Sequence, residues 1–208
     1  MVQVIDSERK SHWEDVYASK QDHEVGWFEK HPATSYQLIQ KYCKGKNDPI
    51  VDIGGGNSFL IKELHDEGFS NLHLLDISGK ALQRNRSRFN NSAPVTWIET
   101  DVLNYKGEKK YAIWHDRAVF HFLTDPNEIK QYVITASGHI PTGGYLIIGT
   151  FSRSGPSTCS GLPVQRYSYG SLVSVYADKF EPVESFENTH ITPSGNRQDY
   201  LWVILRKK

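Results

Sequence analysis

The chain has 208 residues, of which 24 are basic and 24 acidic, so its formal net charge at pH 7 is zero. This length is enough to bury a hydrophobic core without metals or disulfides, and a hydrophobic content of 38% excludes a disordered chain. The balanced charge lacks the overall positive field of proteins that bind nucleic acid through phosphates. We therefore predict one globular domain, residues 1–208, with no nucleic-acid partner.

Cysteine and histidine usage narrows the class of protein further. Cys43 and Cys159 are too few for a disulfide framework, and the N-terminus lacks the apolar run of a signal peptide. No stretch reaches the roughly 18 apolar residues that a membrane-spanning helix needs. We therefore expect a cytoplasmic protein without a membrane partner. The histidines are scattered, with no Cys-x-x-Cys or His-Glu-x-x-His spacing, so no metal site is predicted.

Residues 1–49 form a predicted N-terminal helical cap that is rich in aromatic side chains, with one helix over 33–42. These aromatic residues are Trp13, Tyr17, Trp27, Phe28 and Tyr36. They either form a lid over a binding site or only attach the cap to the rest of the chain, and the sequence favours neither alternative.

From residue 50 onward, short apolar runs alternate with helix-like segments, which is typical of a mostly parallel sheet with helices on both faces. The predicted strands are 50–53, 72–75, 95–98, 111–114 and 145–148. Two further extended segments, 183–191 and 200–205, are separated by the turn sequence Pro193-Ser194-Gly195-Asn196 and predict an antiparallel hairpin. The predicted fold class is α/β, a doubly wound, mostly parallel seven-stranded sheet with a C-terminal antiparallel hairpin, and residues 50–208 form its Rossmann-like core.

Capping residues mark the ends of the predicted helices. The predicted N-caps are Asn57 or Ser58 for a helix that carries Phe59, Ser78 for a helix that reaches Phe89, and Asp125 for a helix that has Pro126 in its first turn. Gly68 is the predicted C-cap of the first of these helices, and Glu128 occupies the capping-box position behind Asp125. A last helix is predicted around 169–176.

A glycine-rich turn, Gly54-Gly55-Gly56, joins the first strand of the core to its helix. Such a turn lets backbone approach a ligand, and the helix start offers free N–H groups to an anion. Asp52, two residues before the turn, could hold an ammonium group. Asp76 lies 22 residues after Gly54, close to the spacing of an acid that receives ribose hydroxyls. Phe59 occupies the third small-residue position of the dinucleotide fingerprint, which disfavours a nicotinamide-linked oxidoreductase.

Asp52, the glycines and Asp76 together resemble the class I S-adenosylmethionine-dependent methyltransferases, whose first motif is Asp-x-Gly-x-Gly and whose second strand ends in an acid. The likeness covers about residues 50–150, and Ser58 stands where many members have a third glycine. The resemblance implies S-adenosylmethionine as the cofactor. Besides Asp52, Gly54, Gly55, Gly56 and Asp76, it implies the cofactor-binding residues Ile77, Asp101, Val102 and His115.

The segment 115–122 concentrates ionisable and aromatic residues at a strand end, where open α/β sheets bind ligands. Its candidates for the methyl-acceptor site are Asp116, Arg117 and His121, with a packed core position as the alternative for His121. Transfer from a sulfonium depends largely on proximity, and a base is needed only when the acceptor arrives protonated. Arg153, Cys159, Arg166, Tyr167, His190 and Gln198 are further candidates for pocket residues.

Trp114 with Asp116-Arg117, and the early Trp13 and Trp27-Phe28, look loosely similar to the thiopurine- and tellurite-methyltransferase-like small-molecule branch. This resemblance implies methyl transfer to a small-molecule acceptor and does not carry a particular substrate over. The enzymatic alternative is a protein lysine methyltransferase. A non-catalytic S-adenosylmethionine-binding module is the alternative from a different class of protein.

Overall fold

A seven-stranded sheet with helices on both faces follows an N-terminal pair of helices in this computed structural model. The structure describes residues 2–90 and 93–208, and it describes side chains in the first helix from residue 7 onward. The helices are α1 (Val2–Ser19), α2 (Ala33–Tyr42), α3 (Leu60–Asp66), α4 (Gly79–Arg86), α5 (Pro126–His139) and α6 (Tyr169–Tyr176). The strands are β1 (Ile50–Ile53), β2 (Leu72–Asp76), β3 (Val95–Glu99), β4 (Ile113–Arg117), β5 (Tyr145–Phe151), β6 (Thr158–Cys159), β7 (Leu162–Pro163), β8 (Phe180–Ile191) and β9 (Arg197–Lys207). Short 3-10 turns lie at Asp22–Glu24, Val102–Asn104 and Phe120–Phe122.

The sheet has the strand order β3-β2-β1-β4-β5-β9-β8. Strands β1 to β5 are mutually parallel, whereas β9 is antiparallel to both β5 and β8. The predicted fold class, including the terminal hairpin, is confirmed. The order reverses between β1 and β4, which is where doubly wound sheets open a crevice at the carboxyl ends of their strands.

The two faces of the sheet are covered by different helices because successive side chains of a strand point to opposite faces. Val51 of β1 and Trp114 of β4 belong to a buried cluster that also contains side chains of α5 and α6. Ile50 and Ile113, their neighbours in sequence, belong to a second cluster with side chains of α2, α3 and α4. The three-layer arrangement leaves the carboxyl ends of the strands available for a site.

Several predicted helix caps are confirmed. Ser78 Oγ accepts the Ala81 N–H at 3.2 Å, and the Asp125 carboxylate accepts the Asn127 N–H at 2.7 Å. Gly68 follows α3 with a φ of +87°, in the left-handed region that favours glycine.

Other predicted boundaries are wrong. Helix α3 begins at Leu60 rather than at Phe59. Of the two predicted caps, Ser58 Oγ accepts the Leu60 N–H at 3.1 Å, whereas Asn57 donates a side-chain hydrogen bond to Asp22. Helix α4 ends at Arg86, before Phe89. Glu128 forms no capping box, because its carboxylate pairs with Arg9 of α1 at 2.6 Å. The ion pair between Glu128 and Arg9 takes the place of the predicted capping-box contact.

Strand β4 also differs from the prediction, since it runs from Ile113 to Arg117 rather than over 111–114. Its last residues therefore belong to the sheet, with His115 opposite Asp52 and Asp116 opposite Ile53. A register shift between Pro182 and Glu184 interrupts the pairing of β8 with β9. Among the helices that the structure describes, none is long and apolar enough to cross a membrane.

Candidate active site at the carboxyl ends of the parallel strands

A cavity that is partly open to solvent lies at the carboxyl ends of β1 to β4, and its empty space, including the open part, is about 750 Å³. Helix α1 and the segment that follows it cover the cavity. Its lining residues are Trp13, Tyr17, Trp27, Ile53, Gly54, Leu75, Asp76, Ile77, Thr100, Asp101, Val102, Arg117, Ala118, Val119, Phe122, Leu123 and Cys159. The cavity thus combines strand ends from the core with aromatic side chains from the N-terminal cap.

Two glycines of the turn combine a left-handed backbone with close neighbours. Gly54 has a φ of +60°, and a Cβ there would lie 2.0 Å from Cγ2 of Val119. Gly56 has a φ of +49°, and a Cβ there would lie 2.1 Å from the hydroxyl of Tyr17. Both the left-handed backbone and the close neighbours require glycine. The backbone of β1 can therefore come directly to the cavity wall at Gly54.

Asp76 ends β2 with its carboxylate at the cavity wall and only 5% of the residue exposed. The carboxylate accepts the N–H of Gly56 at 2.9 Å and that of Ser78 at 2.8 Å. Burial raises the pKa of Asp76 to about 7, although these two hydrogen bonds act in the opposite direction. Each carboxylate oxygen retains a further lone pair, so it could also accept a ligand hydroxyl. Ile77 lines the cavity beside it.

Asp101 follows β3 and lines the same side of the cavity together with Val102. One carboxylate oxygen accepts the Leu103 N–H at 2.8 Å, and the other accepts a hydrogen bond from Arg9 at 2.7 Å. Arg9 therefore ties α1 to a residue of the candidate site. Arg9 carries no signal in the sequence, because 92 residues separate it from its partner and no local pattern records such a contact.

Asp52 and His115 lie beneath the glycine turn rather than in the cavity wall. Asp52 Oδ1 is 2.7 Å from Nδ1 of His115, and both side chains are buried. A Cβ at Gly55 would lie 2.4 Å from Asp52 Oδ2, so the carboxylate fills the space under the turn. Gly55, Gly56, Asp52 and His115 do not line the cavity, in contrast to Gly54.

Asp116 is fully buried on the opposite face of β4 from Arg117 and does not line the cavity. Its carboxylate accepts the N–H groups of Val119 at 2.9 Å and Phe120 at 3.3 Å, and the hydroxyl of Tyr132. Burial raises the pKa of Asp116 to about 6. The carboxylate therefore shapes the turn that brings Ala118 and Val119 to the cavity, where Ala118 adopts a φ of +72°.

Tyr132→Phe is expected to lower the free energy of unfolding by about 2 kcal/mol, because one oxygen of the buried Asp116 loses its hydrogen bond. Trp114 Nε1 also loses the hydroxyl that it contacts at 3.1 Å. Urea denaturation at pH 7.5 measures the change. Tyr169→Phe is the matched control because Tyr169 is 48% exposed, and equal stability losses in the two variants would contradict the prediction.

Arg117 lines the cavity and is fixed by the N-terminal cap. Its guanidinium donates to the carbonyl of Trp27 at 3.1 Å and forms an ion pair with Glu29 at 3.1 Å. His190 lies 3.2 Å from the same carboxylate. Burial acts to raise the pKa of Glu29, but His190 and Arg117 outweigh it, so that pKa is lowered. Arg117 and His190 were among the predicted residues, whereas Glu29 belongs to no motif and was not predicted.

His121 is fully buried and does not line the cavity. Its ring lies 4.5 Å from that of Phe151, and Nδ1 accepts the Phe151 N–H at 3.3 Å. Burial lowers the pKa of His121 to about 3, so the ring is neutral. This position agrees with the alternative of a ring packed against the sheet. The next residue, Phe122, lines the cavity instead.

Aromatic side chains of the cap form a wall over the cavity. The Trp13 ring centroid is 5.8 Å from that of Trp27, 5.1 Å from that of Phe122 and 6.4 Å from that of Tyr17. Trp13, Tyr17 and Trp27 line the cavity, whereas the Phe28 ring packs against that of Phe59. Cys159 lines the cavity, whereas Arg153, Arg166, Tyr167, His190 and Gln198 do not.

Comparison with known proteins identifies the domain that carries this cavity. Residues 50–144 match the model of a family described as a methyltransferase domain, and the sheet has the seven-stranded order given above. Residues 50–144 therefore resemble a methyltransferase domain. This agrees with the predicted family resemblance over those residues, which include the glycine turn, Asp76, Asp101 and Arg117.

The curated proteins that match the chain carry several different names. Malonyl-[acyl-carrier protein] O-methyltransferase 1 of Ilyobacter polytropus is 27% identical over 126 residues, covering 60% of this chain and 46% of the relative. The chain spans between about a third and two thirds of the length of the curated relatives it matches.

Solved structures share the fold at low identity. The N-methyltransferase NodS of Bradyrhizobium japonicum, in complex with S-adenosyl-L-homocysteine, has a TM-score of 0.72 at 15% identity, covering 95% of this chain and 98% of that chain. The 1,6-didemethyltoxoflavin-N1-methyltransferase of Burkholderia thailandensis has a TM-score of 0.71 at 16% identity, covering 100% of this chain and 88% of that chain.

Proposed function

We propose that the chain transfers a methyl group from S-adenosylmethionine to a small-molecule nucleophile. The observation that carries the proposal is the single cavity that joins Gly54, Asp76 and Asp101 to Arg117 and Phe122 under an aromatic wall. A donor on the first group of residues and an acceptor beside the second would meet in one space beneath the cap. Proximity of this kind is a large part of what displacement at a sulfonium methyl group requires.

The residues of the cavity suit the cofactor. Asp76 retains lone pairs for the hydroxyls of a ribose, and Asp101 has a carboxylate oxygen for an amino group of adenine. Gly54, Ile77 and Val102 complete this side of the cavity, and bound S-adenosylmethionine supplies the electrophilic methyl group. Asp52, Gly55, Gly56 and His115 would act by supporting the turn. Asp116 would position Ala118 and Val119 by holding the turn in which they lie.

The aromatic wall over the cavity favours a small acceptor over a lysine side chain of a folded protein. Trp13, Tyr17 and Trp27 cover the cavity, so an acceptor has to fit beneath them. The Burkholderia thailandensis enzyme, whose structure contains bound 1,6-didemethyltoxoflavin, offers a precedent for a small acceptor on this fold. The protein lysine alternative requires a wide cleft instead.

Calorimetric titration with S-adenosylmethionine, with NAD as the comparison ligand, tests the cofactor. Saturable binding of S-adenosylmethionine alone is expected. S-adenosylhomocysteine formation is then measured with small amines, thiols and heterocycles and with protein acceptors. Turnover of small molecules supports the proposal, turnover of proteins alone supports the lysine alternative, and binding without turnover of any acceptor supports a non-catalytic module.

Affinity for S-adenosylmethionine is expected to depend on pH through Asp76. The ionised carboxylate accepts hydroxyl hydrogen bonds, and its pKa of about 7 means that protonation removes this form as the pH falls through 7. Affinity should therefore fall roughly tenfold from pH 8 to pH 6. Asp76→Asn provides the control in calorimetry, because it has no charge to lose. The same pH dependence in both proteins would assign the titration to another group.

A further inference from the structure

The cavity divides into two halves across the reversal of strand order at β1. The ends of β2 and β3 contribute Asp76, Ile77, Asp101 and Val102 to one half. The other half, called here the acceptor half, lies beyond β4. Its residues are Trp13, Trp27, Arg117, Phe122, Leu123 and Cys159. The chemistry of these side chains constrains what can be methylated.

The acceptor half is largely aromatic and apolar. Trp13 meets Trp27 at an interplanar angle of 76° and Phe122 at 78°, so the three lining rings are steeply inclined to one another. Such a wall suits a flat aromatic ligand, which can stack on one ring and meet the edge of another. It also stabilises a positive charge that develops on the ligand, through the ring faces.

No side chain that the structure describes in the acceptor half can take up a proton. Arg117 is a cation, and its charge is paired with Glu29, which lies behind it and outside the lining. Burial raises the pKa of the Cys159 thiol to about 11, so this group is neutral. Asp116, His121 and His190 also lie outside the lining. An acceptor that arrives protonated would find no base beside it.

Given the methyl transfer proposed above, we propose that the acceptor is a planar aromatic heterocycle, methylated at a ring nitrogen that carries no proton at neutral pH. The nitrogen lone pair forms the new bond to the methyl carbon while the carbon–sulfur bond breaks. The electron pair of the broken carbon–sulfur bond goes to sulfur, and the sulfonium becomes a neutral thioether. The positive charge passes to the ring, where Trp13, Trp27 and Phe122 lie beside it, and no proton is transferred.

Isoquinoline and 2-naphthol test this inference as probes of matched bicyclic shape. The isoquinoline nitrogen has a free lone pair at pH 7.5, whereas the naphthol oxygen is protonated. Formation of S-adenosylhomocysteine is measured at saturating S-adenosylmethionine, with cyclohexylamine as an aliphatic, protonated acceptor. At least tenfold higher kcat/KM for isoquinoline is expected, with a rate that stays flat from pH 7 to pH 9.

Trp27→Leu should raise the KM for isoquinoline at least fivefold, and Tyr169→Leu, at an exposed aromatic residue, serves as the control. Equal or faster turnover of 2-naphthol or cyclohexylamine would overturn the inference and still support methyl transfer to small molecules. Absence of isoquinoline turnover in a protein that binds S-adenosylmethionine would also overturn it. Failure to bind S-adenosylmethionine would instead refute the proposed function itself.

Discussion

Asp76→Ala is expected to weaken S-adenosylmethionine binding about 100-fold. The carboxylate is the buried anion at the end of β2, and its hydrogen bonds to ligand hydroxyls would be charge-assisted. Each such bond contributes about 1.5 to 3 kcal/mol, so the loss of two amounts to at least about 3 kcal/mol, which corresponds to roughly a hundredfold change in Kd. Calorimetric titration at pH 8, where the wild-type carboxylate is ionised, measures the change.

Asp66→Ala is the matched control for this substitution. Asp66 is an exposed carboxylate at the end of α3 that pairs with Lys62, so its removal should leave Kd unchanged. Asp76 also accepts the N–H groups of Gly56 and Ser78, so urea denaturation must show that the alanine variant is folded at the titration temperature. A folded variant that binds within threefold of the wild type would remove Asp76 from the cofactor site.

Arg9→Glu is expected to detach α1 from the core. Arg9 contacts Asp101, whose side chain is only 4% exposed, and Glu128, and the reversal turns both attractions into repulsions. A loss of about 3 kcal/mol in the free energy of unfolding is expected, because a nearly buried carboxylate loses its partner and gains a like charge. Urea unfolding followed by tryptophan fluorescence measures it, since Trp13 on α1 reports directly on the contact.

Lys10→Glu separates this effect from a general change of charge on α1. Lys10 pairs with Glu99 at 2.5 Å, but the two side chains are 46% and 49% exposed. Exposed ion pairs contribute little, so this variant should lose less than about 1 kcal/mol. Similar losses in the two variants would show that the Arg9 contacts have no special role in fixing α1.

The sequence predicted those parts of the methyltransferase domain that local patterns encode. The glycine turn, the capping by Ser78 and the terminal hairpin each depend on residues a few positions apart. Asp76 was predicted from its spacing to Gly54 and Asp101 from the family resemblance, and both line the cavity.

The rest of the candidate site depends on contacts that no local pattern records. Arg9 and Glu29 meet partners about 90 residues away. Asp116 and Arg117 were predicted to face the acceptor together, but β4 continues through both, and neighbouring side chains of a strand point to opposite faces. A 3-10 turn at Phe120–Phe122 then buries His121 and brings Phe122 to the cavity.

The interrupted register of β8 has a consequence for how the protein behaves in concentrated solution. Strand β8 is an outer edge of the sheet, and an unpaired edge can recruit the strand of another molecule. Glu181, Glu184 and Glu187 place charged side chains on this strand, with Glu181 paired to Arg206 and Glu184 to Lys41, and Pro182 lacks an N–H donor at the bulge. A strand of a second molecule would meet charged side chains at an irregular ladder, so the edge disfavours its own aggregation.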